Sequence, residues 1–307
     1  MIRIFVVVFL SFLSVSSAAA KLAVVTTTED LAALASAIGG DAVSVQSIAR
    51  GYQDPHFVEA KPSHLLKLKR AGLFIQVGLE LEAAWAPALL QNARNPVLLP
   101  GNPGFLEVSQ GCEILDRPTG SVDRTQGDVH PLGNPHYWTD PENGRMIART
   151  IARKLSELAP EDAGLFEKNL RGFEAEFERK RKEWEELAAP LRGLPVVTYH
   201  NSWVNFARRF GLEVIDFVEP RPGVPPSPAH IRALIEKMRS RKVPLILIET
   251  YWDVKVPMRI AEETGAALAV LPASVGGRPH IHSYFDLFDH NLRELRRALE
   301  IAAKSGR

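Results

Sequence analysis

The sequence predicts an α/β protein of two lobes, each a mostly parallel sheet flanked by helices, with one long rigid helix joining them. Three observations carry that prediction. Short runs rich in Val, Ile and Leu alternate with helical patterns in the first half. The same order of elements returns in the second half, and between the halves runs a single charged, amphipathic stretch. No sequence repetition accompanies the repeated order.

In the first half, Leu22–Thr26, Val43–Ile48, Leu73–Gly78 and Val97–Leu99 read as buried strands, short and bounded by Gly or Pro. Helical segments lie between them at Asp30–Ile38, Ser63–Arg70 and Glu82–Ala93, the first ending at Gly39-Gly40. In the second half the strands are Val196–Tyr199, Val214–Phe217, Leu245–Ile248 and Ala267–Leu271. Their helices are Ser202–Arg209, Pro228–Arg239, Val256–Thr264 and Tyr284–Ala303. Alternating strands and helices imply parallel sheets covered on both faces.

The joining stretch, Glu161 to Leu191, places Phe166, Leu170, Phe173, Phe177, Trp184, Leu187 and Leu191 on one helical stripe. Charges fill the remaining faces, so the run from Glu178 to Glu183 is a solvated surface. A helix of this length spans about 40 Å and fixes the relative orientation of two lobes, leaving little hinge motion. The expected boundaries are residues 21–160, 161–191 and 192–307.

Residues 1–20 have the form of a cleavable signal peptide: Arg3, an apolar run from Ile4 to Val15, then Ala18-Ala19-Ala20. The apolar run is too short to span a membrane, and no later stretch is long enough. No cysteine follows it, so lipid anchoring is not expected; export to the periplasm is. Removing Arg3 with the leader from 37 basic residues leaves 36, against 36 acidic. This balance argues against nucleic acid or an anionic membrane as partner. Cys112, the only cysteine, excludes an internal disulfide and a thiolate metal cluster.

Nine histidines remain to be weighed. His56 follows Asp54-Pro55 shortly after the second strand, and His136 follows Asn134-Pro135 just before Asp140, a cap for a helix starting at Pro141. His200 directly follows the strand ending at Tyr199. Ligands of open α/β sheets gather at the carboxyl ends of strands, and a proline before a histidine restricts the backbone that carries it. Neutral imidazole suits zinc and other late divalent metals. From the residues alone, both a metal site and ordinary loop histidines stand open. His64 reads as exposed, His230 as a first-turn helix residue, and His290 as a packed residue of the last helix. His130 is alone in the segment Gly120–Gly133, so metal collection there should be weak.

These residues resemble the metal-binding periplasmic solute-binding proteins of ABC importers, the zinc and manganese group. The resemblance runs through Asp54-Pro55-His56 with Lys61-Pro62-Ser63, Gly78-Leu79-Glu80-Leu81-Glu82 ahead of Trp85, and Pro135-His136-Tyr137-Trp138-Thr139-Asp140-Pro141. It continues through the long helix, Tyr199-His200-Asn201-Ser202-Trp203, Pro226-Ser227-Pro228, Glu249, and Ser283-Tyr284 with Asn291. It implies one divalent metal held between the lobes by His56, His136 and His200, and a membrane permease of an ABC importer as partner. It further implies a monomer without catalytic activity. Histidine at the third position resembles the zinc branch, with Mn2+ or Fe2+ as the alternative cargo.

The family's usual fourth ligand, an aspartate, is missing: its position holds Pro272 or Ala273. Water, His280, His282 or a carboxylate such as Glu249 are the candidate replacements. Affinity should fall as pH drops through the histidine range. Three histidines plus water also describe a catalytic zinc site, but the sequence lacks HExxH and GxSxG motifs and a P-loop. A metallochaperone or an adhesin is a further alternative within the same fold.

Overall fold

The computed structural model describes residues 20–120, 130–221 and 223–305. The expected signal peptide, apart from Ala20, lies outside the described residues, as does 121–129 of the segment between Gly120 and Gly133. Among the described residues no helix is long and apolar enough to cross a membrane.

Four short strands form the first sheet: β1 (Leu22–Thr26), β2 (Val43–Ser47), β3 (Leu73–Gln76) and β4 (Phe105–Glu107). They run parallel in the order β2-β1-β3-β4. Helices α1 (Glu29–Gly39), α2 (Pro62–Arg70) and α3 (Ala86–Asn92) connect them, and α4 (Pro141–Leu158) follows a long irregular passage. The second sheet, β5 (Pro195–Thr198), β6 (Glu213–Phe217), β7 (Leu245–Glu249) and β8 (Ala267–Leu271), is also parallel, in the order β6-β5-β7-β8. Its helices are α6 (Val204–Phe210), α7 (Pro228–Ser240), α8 (Lys255–Thr264) and α9 (Tyr284–Ser305). Each sheet places its first strand inside and its second at the edge, so both turn back across the first strand after the second. That reversal is where open α/β sheets bind ligands.

Between the sheets, α5 (Ala163–Ala188) runs for 26 residues, about 39 Å at 1.5 Å per residue. Its stripe is buried at Phe166, Phe173, Phe177 and Trp184, and Leu191 in the turn beyond is buried too. Leu170 and Leu187 pack against the same core. The helix contacts α1 and α4 of the first lobe and α9 of the second. Asn169 Nδ2 donates to the Ile38 carbonyl of α1 at 2.9 Å, and Arg149 pairs with Glu174 at 2.6 Å from α4. Toward its C-terminal end Trp184 Nε1 donates to Asp289 of α9 at 2.7 Å, and midway along the helix Phe173 stacks on Phe285 of α9 with centroids 4.8 Å apart. One apolar stripe therefore belongs to the cores of both lobes.

Two expected elements differ. Val97–Leu99 is not a strand: Pro96–Leu98 forms a 3-10 turn, and the fourth strand is Phe105–Glu107. Pro96 brings no N–H for a ladder, and Asn95 Nδ2 holds the turn by donating to the Leu68 and Ala71 carbonyls at 2.9 and 2.8 Å. Gly104 lets the true strand approach, since a Cβ there would lie 2.6 Å from the Gly72 carbonyl oxygen. The helix expected from Glu82 starts only at Ala86, because Glu82 is occupied elsewhere. Its carboxyl accepts from the Val77 and Gly78 N–H groups at 2.8 and 3.0 Å and from Thr27 Oγ1 at 2.6 Å. Burial pushes it up to about 7. The turn it closes carries Leu79 and Glu80 at positive φ, 52° and 67°.

Candidate metal centre

Three loops deliver three histidines to one point. His56, His136 and His200 are all buried, and a ligand atom from each lies within 4.8 Å of the others. Ring centroids are 5.0 Å apart for His56–His136, 5.5 Å for His56–His200 and 5.3 Å for His136–His200. Among the described residues this is the group of metal-ligating side chains that could hold an ion.

The first two histidines are held by the same local device. Asp54 Oδ1 accepts from both the backbone N–H and the ring Nδ1 of His56, at 2.9 and 2.7 Å. Asn134 Oδ1 does the same for His136, at 2.9 and 3.0 Å. In both, the intervening proline fixes its own φ while the residue before it bonds two positions ahead, an Asx turn. With Nδ1 as the donor, the imidazole is set in the tautomer whose Nε2 lone pair is free. Trp85 Nε1 steadies the first loop by donating to the Pro55 carbonyl at 2.9 Å, and Thr139 Oγ1 steadies the second by donating to the His136 carbonyl at 2.8 Å.

His200 is oriented from a distance. The pairing of β5 with β6 continues past the strands, with Val218 N–H donating to Thr198 and Glu219 N–H to Tyr199, at 2.9 and 3.0 Å. That brings the Glu219 carboxylate to His200 Nδ1 at 2.8 Å. Asn134 Nδ2 then ties the two lobes together by donating to the Asn201 carbonyl at 2.8 Å.

Electrostatics favour a neutral ring at His136 and a charged carboxylate at Asp54. Burial, reinforced by the neighbouring imidazoles, holds His136 well below the ordinary histidine range. Burial acts to raise Asp54, but its bonds and attraction to His56 win and hold it below the usual carboxylate value. The Nε2 atoms of His56 and His136 are buried without a partner. A buried acceptor left so costs about 1–3 kcal/mol, so the donor set fits an electron-pair acceptor such as a divalent cation.

Other sequence expectations fall elsewhere. Glu249 lies outside the cluster, accepts from the Ser202 hydroxyl, and is pushed well above the carboxylate range by its complete burial. Asp140 caps α4 through the Glu142 N–H, as expected, and pairs with Arg209 at 2.7 Å. His280 and His282 are exposed and outside the cluster, and His280 Nε2 meets His290 Nδ1 at 3.1 Å. Pro272 and Ala273 are buried, their carbonyls accepting from Asn291 Nδ2 and Trp138 Nε1 at 3.0 and 2.9 Å. His64, expected at the surface, is buried at the start of α2, where its ring accepts from the Lys61 N–H. His230 sits in the first turn of α7 with Nε2 at 3.0 Å from the Phe217 carbonyl. Cys112 is pushed up to about 12 by burial, which leaves an inert thiol.

The sequence alone assigns no role to Asp54, Asn134 and Glu219, the residues that engage the three imidazoles at Nδ1. The first two were detectable as a repeated Asx-Pro-His pattern. Glu219 had no local signal, standing 19 residues from His200.

Comparison with known proteins agrees with this architecture. The chain is 27% identical over 294 residues to the metal ABC transporter substrate-binding lipoprotein ScbA of Streptococcus cristatus, covering 93% of this chain and 91% of that one. It is 27% identical over 287 residues to the manganese ABC transporter substrate-binding lipoprotein PsaA of Streptococcus mitis, covering 91% and 89%. The crystal structure of ZnuA superposes with a TM-score of 0.75 at 26% identity, covering 91% of this chain and 99% of that one. The model of the family described as ZnuA, zinc-uptake complex component A, periplasmic, matches residues 24–298, and the chain belongs to that family.

Proposed function

We propose that the protein captures a zinc ion in the periplasm through His56, His136 and His200 and delivers it to the membrane permease of an ABC importer. The observation that carries this reading is the convergence of three buried imidazoles whose Nδ1 atoms are all engaged from behind, by Asp54, Asn134 and Glu219. Such a set offers nitrogen toward the cation and negative charge behind it. Relatives such as PsaA carry manganese in their names. An all-imidazole set with no carboxylate in the cluster favours zinc over manganese, because the softer nitrogen donors suit the later metal.

In this reading residues 21–160 and 192–307 are two jaws set by the helix at 161–191, with the metal between them as cargo. The protein acts as a monomer and performs no catalysis. Loading should raise its thermal stability by mass action.

The test is metal content after expression, followed by competitive titration of the chelator-treated protein with zinc, manganese and iron. One zinc per chain, bound more tightly than manganese, is expected. His136→Ala should weaken zinc by more than about tenfold, as loss of a preorganised ligand must at least match the loss of a group orienting one. Unchanged zinc affinity in that variant removes His136 from the site; a preference for manganese replaces zinc as the cargo.

A further inference from the structure

We propose that His130 is a fourth nitrogen ligand of the captured metal, supplied by the first lobe where Pro272 and Ala273 leave the second lobe without one. The proposal rests on the reading that His56, His136 and His200 bind the ion.

His130 stands beside His56 with ring centroids 5.4 Å apart, within the 5.0–5.5 Å that separates the three clustered rings. Its Nε2 is buried and has no hydrogen-bond partner, the condition shared by the Nε2 atoms of His56 and His136. A half-buried loop histidine with a merely structural role would direct that nitrogen to water or to a protein donor. The backbone of Leu79 engages the ring with a hydrogen bond, which leaves Nε2 as the free atom. His130 thus repeats the arrangement of His56 and His136: one side of the ring engaged by the protein, and a buried Nε2 without a partner.

The anchor is built, not incidental. Leu79 lies at positive φ in the turn that Glu82 closes, so its position is determined by buried hydrogen bonds. His130 itself opens a tight turn, His130-Pro131-Leu132-Gly133, closed by the Gly133 N–H donating to the His130 carbonyl at 3.1 Å. Proline at the second position and glycine at positive φ (108°) at the fourth suit such a turn. Asn134, which orients His136, follows immediately. One short passage therefore carries two rings and the side chain that orients one of them.

His130 lies outside the 4.8 Å cluster, so its ring must swing inward when the ion arrives. The completed shell would be four neutral imidazoles, with Asp54 and Glu219 behind two of them. Four nitrogen donors in a tetrahedron suit zinc and discriminate against manganese, which prefers oxygen. His130 is then a specificity determinant as well as a ligand.

The experiment is zinc K-edge X-ray absorption on the zinc-loaded full-length protein, counting imidazoles from multiple scattering, alongside competitive titration. Wild type should show four imidazoles, and His130→Ala and His130→Gln should show three with one oxygen. Both variants should lose about tenfold or more in zinc affinity, with a smaller loss for manganese. A count of three in wild type, unchanged in both variants, overturns the proposal. His136→Ala is the control: loss of an imidazole there while the His130 variants change nothing leaves the three-histidine site standing without His130. If His136→Ala also leaves the count unchanged, the underlying site has failed instead.

Discussion

The two lobes share a strand order but solve the problem of holding a histidine differently. The first lobe uses a local device twice, Asp54-Pro55-His56 and Asn134-Pro135-His136, where three consecutive residues contain ring, backbone restraint and hydrogen-bond acceptor. The second lobe uses tertiary structure: His200 leaves one strand, and its acceptor Glu219 leaves the next. A local device survives wherever its loop is placed. A tertiary one depends on strand register. The difference teaches that the second-lobe ligand should be the more fragile of the two kinds.

The largest effect that would break or sharpen this comparison is at Glu219. Glu219→Ala should reduce zinc affinity by about 10–100-fold, the usual range for removing the group that orients a ligating histidine. Glu219→Gln retains an acceptor but no charge, and should recover part of that loss. Titration against a competing chelator measures both. Equal affinities for wild type and Glu219→Ala would mean that His200 is positioned by the strand ending alone.

The same contrast explains what could be read in advance. Strands such as Leu245–Glu249 and the stripe from Phe166 to Leu191 are legible because burial writes itself into local periodicity. The Pro-His pairs are legible because proline restricts its neighbour. Val97–Leu99 misleads because a short apolar run reports burial and not conformation; Leu98 is fully buried, but in a turn. Glu219 and the anchoring of His130 at Leu79 are invisible because each joins loops that only the fold brings together. His280 and His282 were plausible by proximity to the expected aspartate, yet that loop is turned toward a different task.

That task gives the second prediction. The loop after β8 docks on the first lobe: Asp30 of α1 accepts from the Ser274 hydroxyl and from the Val275 N–H at 3.0 Å. Gly51, in the passage leading to His56, meets the same loop so closely that a Cβ would lie 1.8 Å from the Val275 carbonyl oxygen. Asp30 is completely buried, and burial raises it to about 7 from an ordinary 3.8. Between those values the unfolded chain has lost the proton that the folded chain keeps. Its stabilisation is therefore fully present below about pH 4 and is lost as pH rises through about 7. Asp30→Asn imitates the protonated form, so metal-free Asp30→Asn should lose less stability between pH 5 and pH 8 than wild type. A difference of about 2–4 °C in melting temperature corresponds to ~1 kcal/mol at this domain size. Parallel melting profiles across that pH range would show that Asp30 stays ionised in the fold.

The smallest effect separates charge from geometry within the first-lobe device. His56 has a carboxylate behind it and His136 an amide, yet both acceptors make the same pair of bonds. Asp54→Asn converts the first motif into the second, keeping an oxygen for the backbone N–H and for Nδ1. If geometry dominates, zinc affinity falls by no more than about threefold, below the tenfold expected when an orienting group is lost. If the negative charge behind the ring contributes substantially, the loss approaches that of Glu219→Gln, and it shrinks with added salt only slightly because the pair is buried. Isothermal titration of the two single variants and their double variant decides the matter. Additive losses mean that the two carboxylates act separately on their own rings. A double variant much worse than the sum would mean that Asp54 and Glu219 act together as the counter-charge for one ion, so that the two lobes share the electrostatic work while dividing the positioning.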